Sequence, residues 1–146
     1  MAVDQHHTNH ISVIILAAGE SSRLGSPKQL LSYAGTTLLQ HSINRAQASA
    51  VETCMVMLGA NADLISRTIT NTKVNLVVHP EWKEGMASTI RYGLNELTAI
   101  NPETEAVILM VADQPFTTKE LLNQLIDAHI TNGSKIVASK YGDSFG

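Results

Sequence analysis

Apolar runs and amphipathic stretches alternate along the whole chain. Ile11 to Ala18 (ISVIILAA) is a continuous run rich in β-branched residues, the pattern of a strand buried on both faces. Thr36 to Ala50 repeats apolar residues at Leu39, Ile43, Ala46 and Ala50, which is helical spacing. Thr53 to Leu58 (TCMVML) predicts a second strand, Ala62 to Ile69 a short helix, and Val74 to Val78 a third strand. Gly85 to Leu97 predicts a helix with Met86, Ile90, Leu94 and Leu97 on its apolar face, and Ala106 to Val111 (AVILMV) another buried strand. Thr117 and Glu120 form a capping-box pair opening a helix whose apolar side is Leu121, Leu122, Leu125 and Ile126. Lys135 to Ser139 (KIVAS) predicts a last strand. This alternation predicts an α/β fold: a three-layer, Rossmann-like arrangement with a mostly parallel sheet covered by helices on both faces.

The 146 residues are the size of one domain, with no internal repeat or linker. Residues 1–10 (MAVDQHHTNH) are polar and predict a flexible tail, and 11–146 a single domain. The tail histidines carry no assigned role. A formal net charge of −3 supplies no global basic field, so nucleic acid and anionic membranes are not expected partners. No apolar run approaches the roughly 20 residues of a transmembrane helix, and the N-terminus lacks the plan of a signal peptide. Cys54 is the one cysteine and sits in an apolar run, so a buried inert thiol in a reducing, cytoplasmic setting is expected.

Two segments leave predicted strand ends, where α/β folds gather their ligands. The first is LAAGESSRLGSPKQLL, Leu16 to Leu31. Gly19 and Gly25 permit close backbone approach and positive φ. Ser21 and Ser22 add hydroxyls, Arg23 a planar fork and Lys28 a point charge, the two common ways to neutralise phosphate. The other reading is a polar turn with solvated cations. The loop matches neither G-x-x-x-x-G-K-[ST] nor G-x-G-x-x-G, which disfavours a dinucleotide-dependent oxidoreductase. The second segment is ADQP, where Asp113 stands two residues past a strand. It fits a Mg²⁺ ligand, or a turn or helix cap. A third segment, HPEWKEGMAST, enters a helix: Gly85 permits close approach, and Ser88 and Thr89 place hydroxyls in the first turn. Trp82 stacks on a base or packs, Lys83 and Arg91 meet phosphate or solvent, and His79 carries a proton or is structural.

LAAGESSRLGSPKQLL resembles the signature loop of the sugar-nucleotidyltransferase-like superfamily. With WKEGMASTIRYGL and VADQPF, the chain from about Ile11 onward is similar to molybdenum cofactor cytidylyltransferases and their guanylyltransferase relatives. The resemblance implies a nucleotidyltransferase fold and an in-line transfer, in which the terminal phosphate of the pterin cofactor attacks the α-phosphorus of an NTP and pyrophosphate leaves. By position, Leu16, Ala17, Ala18, Gly19, Ser21, Ser22, Arg23 and Gly25 line the nucleotide and its triphosphate. Lys28 and Arg23 then serve catalysis through charge neutralisation, Asp113 holds Mg²⁺ or Mn²⁺, and Gly85, Met86 and Ser88 lie against base and ribose. The strand-end motif reads Leu-Ala-Ala-Gly, with Ala18 where guanylyl-transferring relatives have glycine, so CTP is the implied substrate. Molybdopterin is the implied acceptor and a molybdoenzyme the implied recipient. Relatives continue past YGDSFG into elements that complete the acceptor site, so residues 11–146 are expected to lack the C-terminal part of the domain. Guanylyl transfer, another CTP- or sugar-nucleotide-forming transferase and a non-catalytic cofactor-delivery module remain alternatives.

Overall fold

The continuous apolar run at the start of the chain forms the central strand of the molecule. The structure, a computed structural model, describes residues 9–21, 25–70 and 73–145. Strand β1 (Ile11–Ala17) is followed by a two-stranded hairpin, β2 (Ser32–Tyr33) and β3 (Thr36–Thr37), and then by helix α1 (Leu38–Ala48). Next come β4 (Thr53–Leu58), the short helix α2 (Ala62–Ser66), β5 (Asn75–Val78), helix α3 (Met86–Ile100), β6 (Ala106–Val111) and helix α4 (Lys119–Asn132). A small hairpin, β7 (Lys140–Tyr141) with β8 (Ser144–Phe145), ends the described chain.

The main sheet has the order β5-β4-β1-β6, and every pairing in it is parallel. Ser12 lies opposite Thr53 on one side, and Ile11 opposite Ala106 on the other. Alternation along β1 divides the core in two. Val13, Ile15 and Ala17 pack with Leu39, Ile43 and Ala46 of α1 and Leu122 of α4. Ile14 packs with Met55, Met57 and Leu97 under α3. Both faces are covered, as the sequence pattern predicts. Among the described residues, no helix is long and apolar enough to cross a membrane.

Four details differ from the sequence reading. The α3 face shifts: Met86 is 60% exposed and Leu94 36%, while Ser88, Thr89, Gly93 and Leu97 are buried. The helix meets the sheet through Gly93 as well as Leu97, and a Cβ added at Gly93 would lie 3.0 Å from Met57 Sδ, so a small residue shares the contact line. The cap of α4 is Thr118, whose side chain accepts from the Leu121 N–H at 3.1 Å; Thr117 is buried one position before it. Strand β6 is an edge strand and only half-buried, with Leu109 47% exposed. Lys135 to Ser139 forms no ladder, and Ile136 is 88% exposed.

Of the tail expected over residues 1–10, residues 1–8 lie outside the described residues. His10 pairs with Glu52 at 2.9 Å, and Asn101 bridges Glu52 to Thr53. Cys54 is buried, and burial pushes its thiol up to about 12, as an inert core cysteine requires.

Candidate functional site

A cavity of about 350 Å³ opens at the carboxyl ends of β1 and β6. Three chain segments build its walls. Leu16, Ala17, Ala18 and Gly19 form the end of β1 and the start of its loop. Trp82, Gly85, Met86 and Thr89 come from the turn into α3, and Val111, Ala112 and Asp113 from the end of β6. Glu20, Ser21, Lys28 and Gln29 complete the lining from the loop and the 3-10 turn Lys28–Leu30.

The loop is tied at its neck. Ser21 Oγ accepts a hydrogen bond from the Lys28 N–H at 2.9 Å, so the serine fixes the lysine's backbone across seven residues. Pro27, at φ −60°, sets the entry into the turn that carries Lys28. Gln29 Nε2 donates to the carbonyls of Ala17 at 3.0 Å and Gly19 at 3.2 Å. Gly25 has φ +67°, where a side chain would be strained, and stands outside the cavity wall. Ser22 and Arg23 lie outside the described residues.

The wall opposite the loop rests on one glycine. Gly59, just past β4, lies so close to the turn into α3 that an added Cβ would sit 2.5 Å from Trp82 Cβ and 2.8 Å from the Ala18 carbonyl oxygen. That carbonyl accepts from the Ala60 N–H at 3.0 Å. Lys83 places its ammonium 5.6 Å from the Trp82 ring centroid, a cation–π contact. Gly85, at φ +106°, turns the chain into α3, where Thr89 Oγ1 donates to its carbonyl at 3.3 Å.

Ser88 is not brought to the cavity. Its hydroxyl donates to Glu84 at 2.8 Å, so its oxygen accepts from His79 Nε2–H at 2.9 Å. His79 stacks on Tyr92 with centroids 4.6 Å apart, and its Nδ1 is buried with no partner among the described residues. This chain of three side chains braces the corner that presents Gly85 and Met86, and it supports the structural reading of His79.

Asp113 is exposed and lines the cavity. It does not cap α4, since that position belongs to Thr118. Helix α1 holds its loop from behind: His41 Nε2 donates to the Pro115 carbonyl at 3.1 Å and Ser42 Oγ to the Ala112 carbonyl at 3.3 Å. Glu20 is a second carboxylate on the cavity wall. Among the described residues no three His, Cys, Asp or Glu side chains gather into a metal site. A divalent ion here would take protein oxygens from one or two carboxylates and the rest from phosphate and water, the donor set Mg²⁺ favours.

The arrangement therefore offers an ammonium and carboxylate oxygens around a slot walled by Ala18, Trp82 and Met86. Glu20 and Gln29 were missed from sequence; for Gln29 the only signal is its place directly after Lys28.

A family model described as a MobA-like NTP transferase domain matches residues 13–146. The crystal structure of Rv0371c from Mycobacterium tuberculosis H37Rv is similar at 30% identity and a TM-score of 0.82, over 95% of this chain and 69% of that one. The same mycobacterial protein in complex with manganese matches at 26% identity and a TM-score of 0.77, over 93% of this chain and 67% of that one. A 4-diphosphocytidyl-2C-methyl-D-erythritol synthase from Anaerococcus prevotii DSM 20548 shares the fold at 21% identity and a TM-score of 0.70, over 93% of this chain and 57% of its own.

Proposed function

The chain belongs to the MobA-like NTP transferase domain family, and from that premise we propose that it transfers CMP from CTP to the terminal phosphate of a molybdopterin-type cofactor. An acceptor phosphate oxygen forms a bond to the α-phosphorus of CTP. The bond from that phosphorus to the β-phosphate bridge oxygen breaks, and its electron pair leaves with pyrophosphate. Such a transfer needs positioning and charge neutralisation rather than a protein nucleophile. The observation that carries the reading is that one cavity collects the loop after β1, Lys28, the corner at Gly85 and Asp113.

The loop around Gly19 and Ser21, with Arg23, is assigned to the triphosphate. The Lys28 ammonium is assigned to charge on the leaving pyrophosphate. Gly85, Met86 and Thr89 are assigned to base and ribose. Asp113, with Glu20 lining the same cavity, supplies the hard oxygen donors that suit Mg²⁺ or Mn²⁺, and the ion would supply charge neutralisation between the phosphates. A similar protein was solved in complex with manganese, which supports a divalent ion. The buried methyl of Ala18 narrows the slot, which favours a pyrimidine.

Calorimetry with CTP and GTP, with and without Mg²⁺, tests the first half. Mg²⁺-dependent preference for CTP supports it, and preference for GTP moves the chain to guanylyl transfer. Pyrophosphate release on adding molybdopterin tests the second half; tight CTP binding without release points to another acceptor or to cofactor delivery.

A further inference from the structure

Gln29 is a buried amide at the edge of a polar loop, only 6% exposed. Two carbonyl oxygens, of Ala17 and Gly19, face it at 3.0 and 3.2 Å. Carbonyls only accept, so the NH₂ end must face them, and the orientation of the amide is settled by chemistry. Its Oε1 is then buried on the other side, with no donor among the described residues. A buried acceptor left unpaired works against folding, and such atoms are rare in native proteins.

The tie has a geometric consequence. In a trans peptide the C=O and the following N–H point in opposite directions. No peptide among the described residues is cis, so anchoring the Gly19 carbonyl on Gln29 turns the Glu20 N–H away from the amide. The same side chain grips the Ala17 carbonyl at the last residue of β1, so the loop's first corner is fixed relative to the sheet. The Ser21–Lys28 bond closes the loop from the other side. Gln29 thus sets which way the early loop amides face.

Resting on the nucleotidyl-transfer reading, we propose that Gln29 is a positioning residue for the triphosphate: its NH₂ aims the loop amides, and its Oε1 gains a donor in the nucleotide-bound state. It touches no reacting atom in this account and acts through the backbone of Gly19 and Glu20.

Two near-isosteric variants separate this role from bulk packing. Gln29→Met keeps length and removes both polar ends. Gln29→Glu keeps an oxygen acceptor but replaces the NH₂ with a second oxygen. Ionised, that carboxylate faces two carbonyls it cannot bond; protonated, it can donate to one of them. At about pH 8 both variants should weaken binding of CTP with Mg²⁺, and of inorganic pyrophosphate, by about tenfold or more. As the pH is lowered toward about 5.5, the Gln29→Glu protein should recover severalfold relative to wild type at each pH, while Gln29→Met should not.

Amide exchange of residues 17–21 in the nucleotide-free protein should be faster in both variants at about pH 8. Wild-type affinity in Gln29→Met overturns the proposal, and so do equal, pH-independent losses in the two variants. Should the wild type bind no CTP, the nucleotidyl-transfer reading fails on its own. Exchange then decides the tie, and unchanged exchange in Gln29→Met overturns it.

Discussion

Gly59→Ala is the substitution that most directly tests how the cavity is held. The new Cβ would meet Trp82 Cβ at 2.5 Å, Trp82 Cγ at 2.7 Å and the Ala18 carbonyl oxygen at 2.8 Å. Two of those three atoms are fixed by backbone, because no rotamer change moves a Cβ or a carbonyl oxygen. Relief therefore requires the corner at Trp82 and the end of β1 to move apart. Overpacking of this kind costs about 1–3 kcal/mol. For a domain of this size each kcal/mol is worth about 2–4 °C, so a central loss of about 2 kcal/mol lowers Tm by about 4–8 °C. Gly93→Ala is the control. There the nearest atoms, Met57 Sδ at 3.0 Å and Cγ at 3.2 Å, belong to a flexible side chain. Alanine also gains about 1 kcal/mol of helix propensity over glycine, so the net change should be near zero. Thermal unfolding and CTP calorimetry on both variants decide the matter. Gly59→Ala should lose stability and nucleotide affinity together, because both walls of the slot shift. If Gly59→Ala keeps wild-type Tm and affinity, or Gly93→Ala proves the more damaging, the steric reasoning is wrong.

Other expectations follow from the same geometry. Lys28→Ala and Asp113→Asn should each lower kcat by about 100-fold or more with Tm nearly unchanged, since both side chains are exposed; full turnover in either removes that residue from the mechanism. Ala18→Gly should raise GTP affinity relative to CTP, and an unaltered ratio in competition calorimetry defeats the slot argument. The hydrogen bond to Glu52 raises the pKa of His10 above its ordinary 6.5 and lowers that of Glu52 below 4.5. Their mutual support is therefore complete between those two values. It is lost as pH rises through the raised His10 pKa, and again as pH falls through the lowered Glu52 pKa. Glu52→Gln should flatten that profile in Tm-against-pH scans, and an unchanged profile refutes the pair's contribution.

What could be read from sequence, and what could not, divides along physical lines. The strands Ile11–Ala17 and Thr53–Leu58 were legible because each is a dense, continuous apolar run, the pattern that burial on both faces demands. Lys28 and Asp113 were legible as candidates because ligands in α/β folds collect where strands end. The α3 face misled in part because the sequence marks apolar residues, whereas the sheet is met through Gly93 beside Leu97. The hairpin at Ser32 to Thr37 escaped notice because two-residue strands carry no period, and its turn needs φ +48° at Ala34, an uncommon value for that residue. Gln29 and the His79–Ser88–Glu84 chain were hidden for a different reason. Their partners are chosen by how the chain folds back, and no local pattern records that choice.

The central position of β1 also has a consequence during synthesis. It leaves the ribosome before both of its neighbours, and one of them, β6, follows about 95 residues later in the register that pairs Ile11 with Ala106. At about 5–20 residues per second, that is a wait of about 5–20 s. Throughout it, one edge of this strongly hydrophobic strand stays open to any other extended segment. The nascent polypeptide is thus most exposed to mispairing before β6 emerges, and a chaperone that shields residues 11–17 over that interval would raise the yield of native protein more than one acting after release.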